Sequence, residues 1–266
     1  MRLFISSDIE GTCGICDWAE TELSKPAYHG PFADQMTREV SAAADAALRS
    51  GVVEDVLIKD AHDDARNIRP ADLPRGVRII RGWQGGPCGM MSCVQECDAA
   101  AMTGYHSAAF SSGNPLAHTM NTKNQFIRIN GKAASEFLIN TYYAAYYGIP
   151  VIFLSGDEAL CETARELIPA IETAPVMRGT GGATISMHPQ EAVELIRERM
   201  AAALRKDVKQ CLITLPDHFD VQVQFKDYDR ARRGGFYPGA RQTDAKTIEF
   251  SHDDFYEAAR FLYFTL

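Results

Sequence analysis

The sequence predicts an α/β protein, with a mixed, largely parallel sheet flanked by helices and a smaller C-terminal α+β lobe. Three observations predict it. Short apolar runs alternate with longer stretches of helical period along most of the 266 residues. No low-complexity linker and no internal repeat interrupts that succession. From about Cys211 the pattern changes, and Val221, Val223 and Phe225 alternate with polar residues as in a half-exposed antiparallel strand.

In chain order, Leu3-Phe4-Ile5 marks a first strand over Arg2–Ser7. A helix follows over Phe32–Arg49, with Pro31 at its start and Gly51 just past its end as punctuation. Strands are predicted over Asp55–Lys59, Val77–Arg81, Ala99–Thr103 and Phe126–Ile129, and Asn130-Gly131 closes the last of these in a tight turn. A helix rich in Ala, Leu and Tyr covers Ala133–Tyr147, and a strand covers Val151–Ser155. Helices over Glu158–Leu167 and Pro189–Lys206 lead to a strand at Cys211–Leu215. Thr247–Phe250 is placed to pair with the alternating strand, and a helix over Asp253–Leu266 ends the chain. The expected division is residues 1–210 as the α/β core and 211–266 as the smaller lobe.

This length is ample for a sizeable core, so neither disulfide nor metal is needed merely to fold. A net charge of -8 argues against nucleic acid as a main partner, because phosphate binding needs basic patches. The nearest to such a patch, Asp229-Arg230-Ala231-Arg232-Arg233, is short and reads as a solvated loop, or else as a holder of a substrate carboxylate. The N-terminus enters a strand at once and no apolar stretch reaches about 18 residues, so neither a signal peptide nor a membrane helix is expected. Seven cysteines are an odd number for a disulfide framework, and a reducing cytoplasm fits them best. Cys13-x-x-Cys16 is a single knuckle, and Cys88, Cys93 and Cys97 form only a loose group, so small buried or loop thiols are the expected reading rather than a structural zinc site.

The chemistry is written at strand ends. The first apolar run leads directly into Asp8-Ile9-Glu10, and alternation puts both carboxylates on one face. Two such acids repel, so the pair calls for a cation or a shared proton. His62 follows the second strand in Asp60-Ala61-His62, and His106 follows the fourth in Gly104-Tyr105-His106. In a parallel sheet these ends meet along one edge, where ligands bind. Imidazole and carboxylate together, without thiolate, suit a catalytic zinc or a related divalent ion. Glu136 and His118, in Ala117-His118-Thr119-Met120, lie within reach in sequence. Asp60 is a candidate to orient an imidazole, or else a loop hydrogen-bonder.

Ser7-Asp8-Ile9-Glu10-Gly11, Asp60-Ala61-His62, Gly104-Tyr105-His106, Ala117-His118-Thr119-Met120 and Gly131 to Glu136 stand in an order and spacing that resembles the dipeptide-operon D-aminopeptidases, the DppA-type zinc peptidases. Phe153-Leu154-Ser155-Gly156-Asp157 and Glu166-Leu167-Ile168-Pro169 resemble them too, and the similarity runs from Met1 to about Gly239. The resemblance implies two zinc ions per subunit, with Asp8 bridging them and Glu10, His62, His106 and Glu136 completing the two spheres. His118 would be the catalytic residue beside the metals, as acid, base or nucleophile. It further implies release of N-terminal D-amino acids from short peptides by a metal-bridging hydroxide, and a ring-shaped homo-oligomer, a decamer, whose sites face an enclosed channel. The loop Gly85 to Cys93, rich in glycine and sulfur, matches no motif of that family and could line the pocket or a subunit contact.

Two rival readings share these residues. Asp8-Ile9-Glu10-Gly11-Thr12 also resembles the nucleophile motif of haloacid-dehalogenase-like phosphatases, with Asp157 as a later magnesium-binding acid; Glu10 in place of an Asp, and the unexplained His62 and His106, weigh against it. A non-catalytic zinc or peptide carrier of a transport operon would use the same ligands, but would have no need of His118.

Overall fold

The buried runs Leu3-Phe4-Ile5, Val56-Leu57-Ile58, Ala99 to Met102 and Val151 to Leu154 lie side by side in one parallel sheet, covered on both faces as such sheets must be. The computed structural model describes residues 1–87 and 89–266; Cys88 lies outside the described residues. The elements are β1 (Arg2–Ser7), α1 (Pro26–Arg49), β2 (Asp55–Asp60), β3 (Val77–Ile80), β4 (Ala99–Tyr105), β5 (Asn124–Ile129), β6 (Lys132–Ala133), α2 (Glu136–Tyr146), β7 (Val151–Asp157), α3 (Glu158–Leu167), β8 (Glu172–Thr180), β9 (Ala183–Ser186), α4 (Pro189–Ala203), β10 (Phe219–Phe225), α5 (Tyr228–Gly234), β11 (Arg241–Gln242), β12 (Thr247–His252) and α6 (Phe255–Thr265).

The large sheet has seven strands in the order β3-β2-β1-β4-β7-β8-β9. All neighbours in it are parallel except β8 and β9. The chain runs outward from β1 through β2 to β3, then returns to place β4 on the other side of β1. That reversal is the switch point of the sheet, where the crevice at the strand carboxyl ends opens. The second sheet is antiparallel, in the order β11-β12-β10-β5-β6. The mixed, largely parallel architecture and the antiparallel pairing of β10 with β12 are as the sequence predicts.

Several elements differ. α1 begins at Pro26, not Phe32, because Pro26 takes the first turn; Pro31 is tolerated inside the helix, near its start. Cys211–Leu215 is not a strand: a 3-10 turn over Val208–Cys211 ends there. The outer positions of the sheet are filled by the β8–β9 hairpin, which the sequence hid behind Pro175 and Gly179 to Gly182. The arginine run is not a loop but helix α5, started by Asp227, whose side chain accepts from Arg230 N at 2.8 Å. Asn130 and Gly131, with φ of 51° and 77°, form the two-residue turn of a β5–β6 hairpin. That hairpin delays α2 to Glu136, with Ser135 as its cap. Among the described residues no helix is long and apolar enough to cross a membrane.

Candidate metal centre

The β1–β4 pairing continues past the strand ends, and this seats the first two acids. Asp8 N donates to Thr103 O and Gly11 N to Gly104 O, each at 2.8 Å. The two backbones approach so closely that only glycine fits: a Cβ on Gly11 would lie 1.8 Å from Tyr105 O, and one on Gly104, whose φ is +69°, 2.2 Å from Asp8 O. On the other side, Ala61 N donates to Ser7 O at 2.8 Å, which brings His62 to the same edge. His106 follows β4 directly. Glu136 opens α2, and its Oε1 accepts from Met120 N at 2.6 Å. The loop carrying His118 is tied down by Asn114, whose Oδ1 accepts from Leu116 N and whose Nδ2 donates to Glu10 O.

All six residues singled out by the sequence therefore meet. His62 Nδ1 lies 3.3 Å from Asp8 Oδ1 and 3.0 Å from Glu10 Oε2. His106 Nε2 lies 3.5 Å from Asp8 Oδ2 and 3.6 Å from Glu136 Oε2. Asp8 thus turns one oxygen to each of two groups, Asp8-Glu10-His62 and Asp8-His106-Glu136, and within each group the donor atoms lie within 4.8 Å of one another. A third grouping, Glu10-His106-His118, adds His118 to one donor from each of the other two. His118 Nε2 sits 3.9 Å from Glu10 Oε1 and 3.6 Å from Glu136 Oε1, and its ring stacks on His106 at 4.3 Å.

The outer ring nitrogen of each histidine is held by a main-chain carbonyl. His62 Nε2 donates to Thr21 O, His106 Nδ1 to Ser107 O and His118 Nδ1 to Leu116 O, each at 3.0 Å. This fixes which nitrogen faces the acids, as metal-binding histidines require. Asp60 does not take part: its carboxylate accepts from Asn67 N, Asn67 Nδ2 and Ile68 N, so it is the loop hydrogen-bonder of the two expected roles.

The donor set fits divalent cations on an observation of this chain. Asp8 Oδ2, both Glu10 oxygens and His106 Nε2 are buried without a hydrogen-bond partner, a state that is costly unless a charge is there to meet them. Without metal the cluster shares protons instead. Burial first, then the Glu10 carboxylate, raise the Asp8 carboxyl well above its usual range. Burial would raise Glu10 as well, but His62, His118 and His106 outweigh it and hold that carboxyl well below; Glu136 is lowered against burial mainly by His106. The carboxylates in turn raise His62 and His106 well above the ordinary imidazole, against burial. Burial and the neighbouring His106 lower His118. Metal binding here would release the protons that His62 and His106 otherwise hold.

Other candidates fall outside the cluster. Asp157 caps α3 and is fully engaged by Ser107 N, Ser107 Oγ and Leu160 N, so it is not free for the role the phosphatase reading needs. Cys13 is buried with its thiol on Met187 O, and Cys16 is exposed. A groove of about 920 Å³ between α1 and α4, lined by Arg38, Asp45, Arg69 and Arg197 among others, contains none of the six residues.

Comparison with known proteins agrees with this geometry. The model of peptidase family M55, D-aminopeptidase, matches residues 1–264. The D-aminopeptidase of Bacillus subtilis (strain 168) is 30% identical over 262 residues, which are 97% of this chain and 94% of that protein. A solved structure, the Zn-dependent D-aminopeptidase DppA from Bacillus subtilis, a self-compartmentalizing protease, is similar with a TM-score of 0.92 at 27% identity, covering 100% of this chain and 96% of that one.

Proposed function

The chain belongs to the D-aminopeptidase family, and from that membership we propose that it is a zinc-dependent aminopeptidase releasing N-terminal D-amino acids from short peptides. The observation that carries the reading is Asp8, which offers one carboxylate oxygen to each of two groups of ligands. Two zinc ions per subunit complete this reading: Asp8, Glu10 and His62 would hold one, and Asp8, His106 and Glu136 the other. Bound zinc supplies Lewis-acid activation of the scissile carbonyl and of water. The protein supplies the rest. Three carboxylates offset much of the charge of two divalent ions. The carbonyls of Thr21 and Ser107 aim the imidazoles. His118, with Nδ1–H committed to Leu116 O, keeps Nε2 open toward the cluster. From there it takes a proton from the attacking water and returns one to the leaving amine.

Self-assembly into a ring-shaped decamer with the sites facing an enclosed channel completes the proposal, supported by the self-compartmentalizing relative. The division into a 1–210 core and a 211–266 lobe belongs to the same proposal, with the lobe's strands sharing a sheet with β5 and β6 of the core. A cytoplasmic setting suits the free thiols of Cys13, Cys16, Cys93, Cys97, Cys161 and Cys211. The test is metal analysis combined with hydrolysis of D-Ala- and L-Ala-terminated peptides. About two zinc ions per chain and turnover of the D-peptide are expected; less than one metal per chain, with no turnover after zinc reconstitution, defeats the reading.

A further inference from the structure

Four of the six clustered side chains are sealed from solvent. Asp8, Glu10, His106 and Glu136 are at most 5% exposed, whereas His62 keeps 11% and His118 13%. A molecule that reaches the cluster therefore arrives over His62 and His118. One short segment touches both. Thr21 O receives His62 Nε2, and the Trp18 indole stands edge-on to the His118 ring, 5.3 Å between centroids and 68° between planes. The segment is well fastened. Glu20 Oε2 accepts from Cys16 N at 2.7 Å and Asp17 N at 3.0 Å, Asp17 Oδ1 accepts from Ala19 N at 2.9 Å, and Trp18 O accepts from both Thr21 N and Thr21 Oγ1. It is a 3-10 turn with a complete capping box. The result is a large apolar ring, 37% exposed, fixed beside the two members of the site that keep some exposure among the described residues.

We propose that Trp18 is the wall of the substrate site: the incoming peptide packs its apolar surface on the exposed part of the indole while its scissile end lies over His118. This rests on the peptidase reading of the cluster. An aromatic ring held by its backbone offers contact area at little entropic cost, which suits it to selecting substrate without entering the chemistry.

The chain has two tryptophans, so W83F leaves Trp18 as the sole indole reporter. Zinc-loaded W83F protein is titrated with D-alanyl-D-alanine while emission and hydrolysis are followed on the same sample, and the titration is repeated for kinetics in W18A and W18F. Expected are a saturable emission change with a midpoint near KM, a rise in KM of about tenfold in W18A with kcat within about threefold, and recovery of most of that KM in W18F. Hydrolysis with no emission change and an unaltered KM in W18A overturns the wall and leaves the peptidase reading intact. A fall in kcat alone also overturns it, because Trp18 would then only steady His118. A saturable emission change without hydrolysis keeps the wall and defeats the peptidase reading. Neither signal overturns both.

Discussion

The two sheets of this protein spend their polar residues in opposite ways. In the antiparallel sheet, β10 alternates buried Phe219, Val221, Val223 and Phe225 with more exposed Asp220, Gln222 and Gln224, so polarity goes to solvent. In the parallel sheet, β4 is buried throughout and β1 from Leu3 onward, and polarity is driven inward at their carboxyl ends, where Ser7, Asp8, Glu10, Thr103 and His106 have almost no exposure. A buried polar group lowers stability unless it is met. The antiparallel sheet is thus built to stand, and the parallel sheet carries buried polar groups that a bound cation would meet. Changes in the two should separate cleanly into lost stability and lost chemistry.

The largest effect expected is at the shared ligand. Asp8→Ala removes a donor from both groups, and bound zinc should fall well below two per chain, with peptide turnover down by at least about four orders of magnitude. Zinc retained at two per chain would break the contrast, because Asp8 would then not be the bridge. Next is His118→Ala. It should keep both zinc ions and lose about 10²–10⁴-fold in kcat, the usual worth of general acid–base catalysis. Unchanged turnover would remove His118 from the chemistry; loss of zinc would make it a ligand. Complete loss of hydrolysis with zinc retained also disposes of a mere carrier, which has no use for this residue.

The opposite behaviour is expected across the molecule. Phe225 is 1% exposed in the middle of the antiparallel sheet. Phe225→Ala should reduce unfolding free energy by about 3–5 kcal/mol, read by urea denaturation. The kcat of molecules that remain folded should not change. If kcat falls in step with stability, the two sheets are coupled and the separation fails.

How far each region could be read from sequence follows the same division. Asp8, Glu10, His62 and His106 were legible because a ligand-type side chain ends each of three apolar runs, and a parallel sheet brings such ends together. Glu136 and His118 lie on no strand end, and their assignment came from resemblance. The carbonyls of Thr21, Ser107 and Leu116, which orient the imidazoles, left no trace, since every residue has a carbonyl and only the fold aims it. Asn114 ties the His118 loop to Glu10 O, and no sequence pattern marks it. In the fold, β8 was hidden by Pro175, which ordinarily argues against a central strand. Helix α5 was masked by its charge: three arginines suggest solvent, and the deciding signal was the Asp227 cap.

The smallest effect concerns a buried acid outside the candidate metal centre. Glu39 on α1 accepts from Cys13 N at 3.0 Å and Gln35 Nε2 at 2.9 Å, through the same oxygen, while its other oxygen is buried without a partner. Burial raises its carboxyl to about 7, against the pull of Gln35, Cys13 and Arg38. The sign follows directly. The folded protein holds this proton more tightly than the unfolded chain, so ionisation opposes folding. Stability from this group is full below about pH 4.5, declines as pH rises, and is lost above about 7. Glu39→Gln removes the titration and keeps an acceptor for Cys13 N. Relative to wild type, the variant should match at pH 4.5 and gain with rising pH, by at most about 3 kcal/mol at pH 8. Urea unfolding at pH 5 and pH 8 measures it. A constant difference between the two pH values would mean that Glu39 is ionised throughout, and that this side of the molecule tolerates a buried carboxylate without a cation. A gain confined to high pH would mean the reverse: this buried acid, met by no cation, is kept neutral in the folded protein.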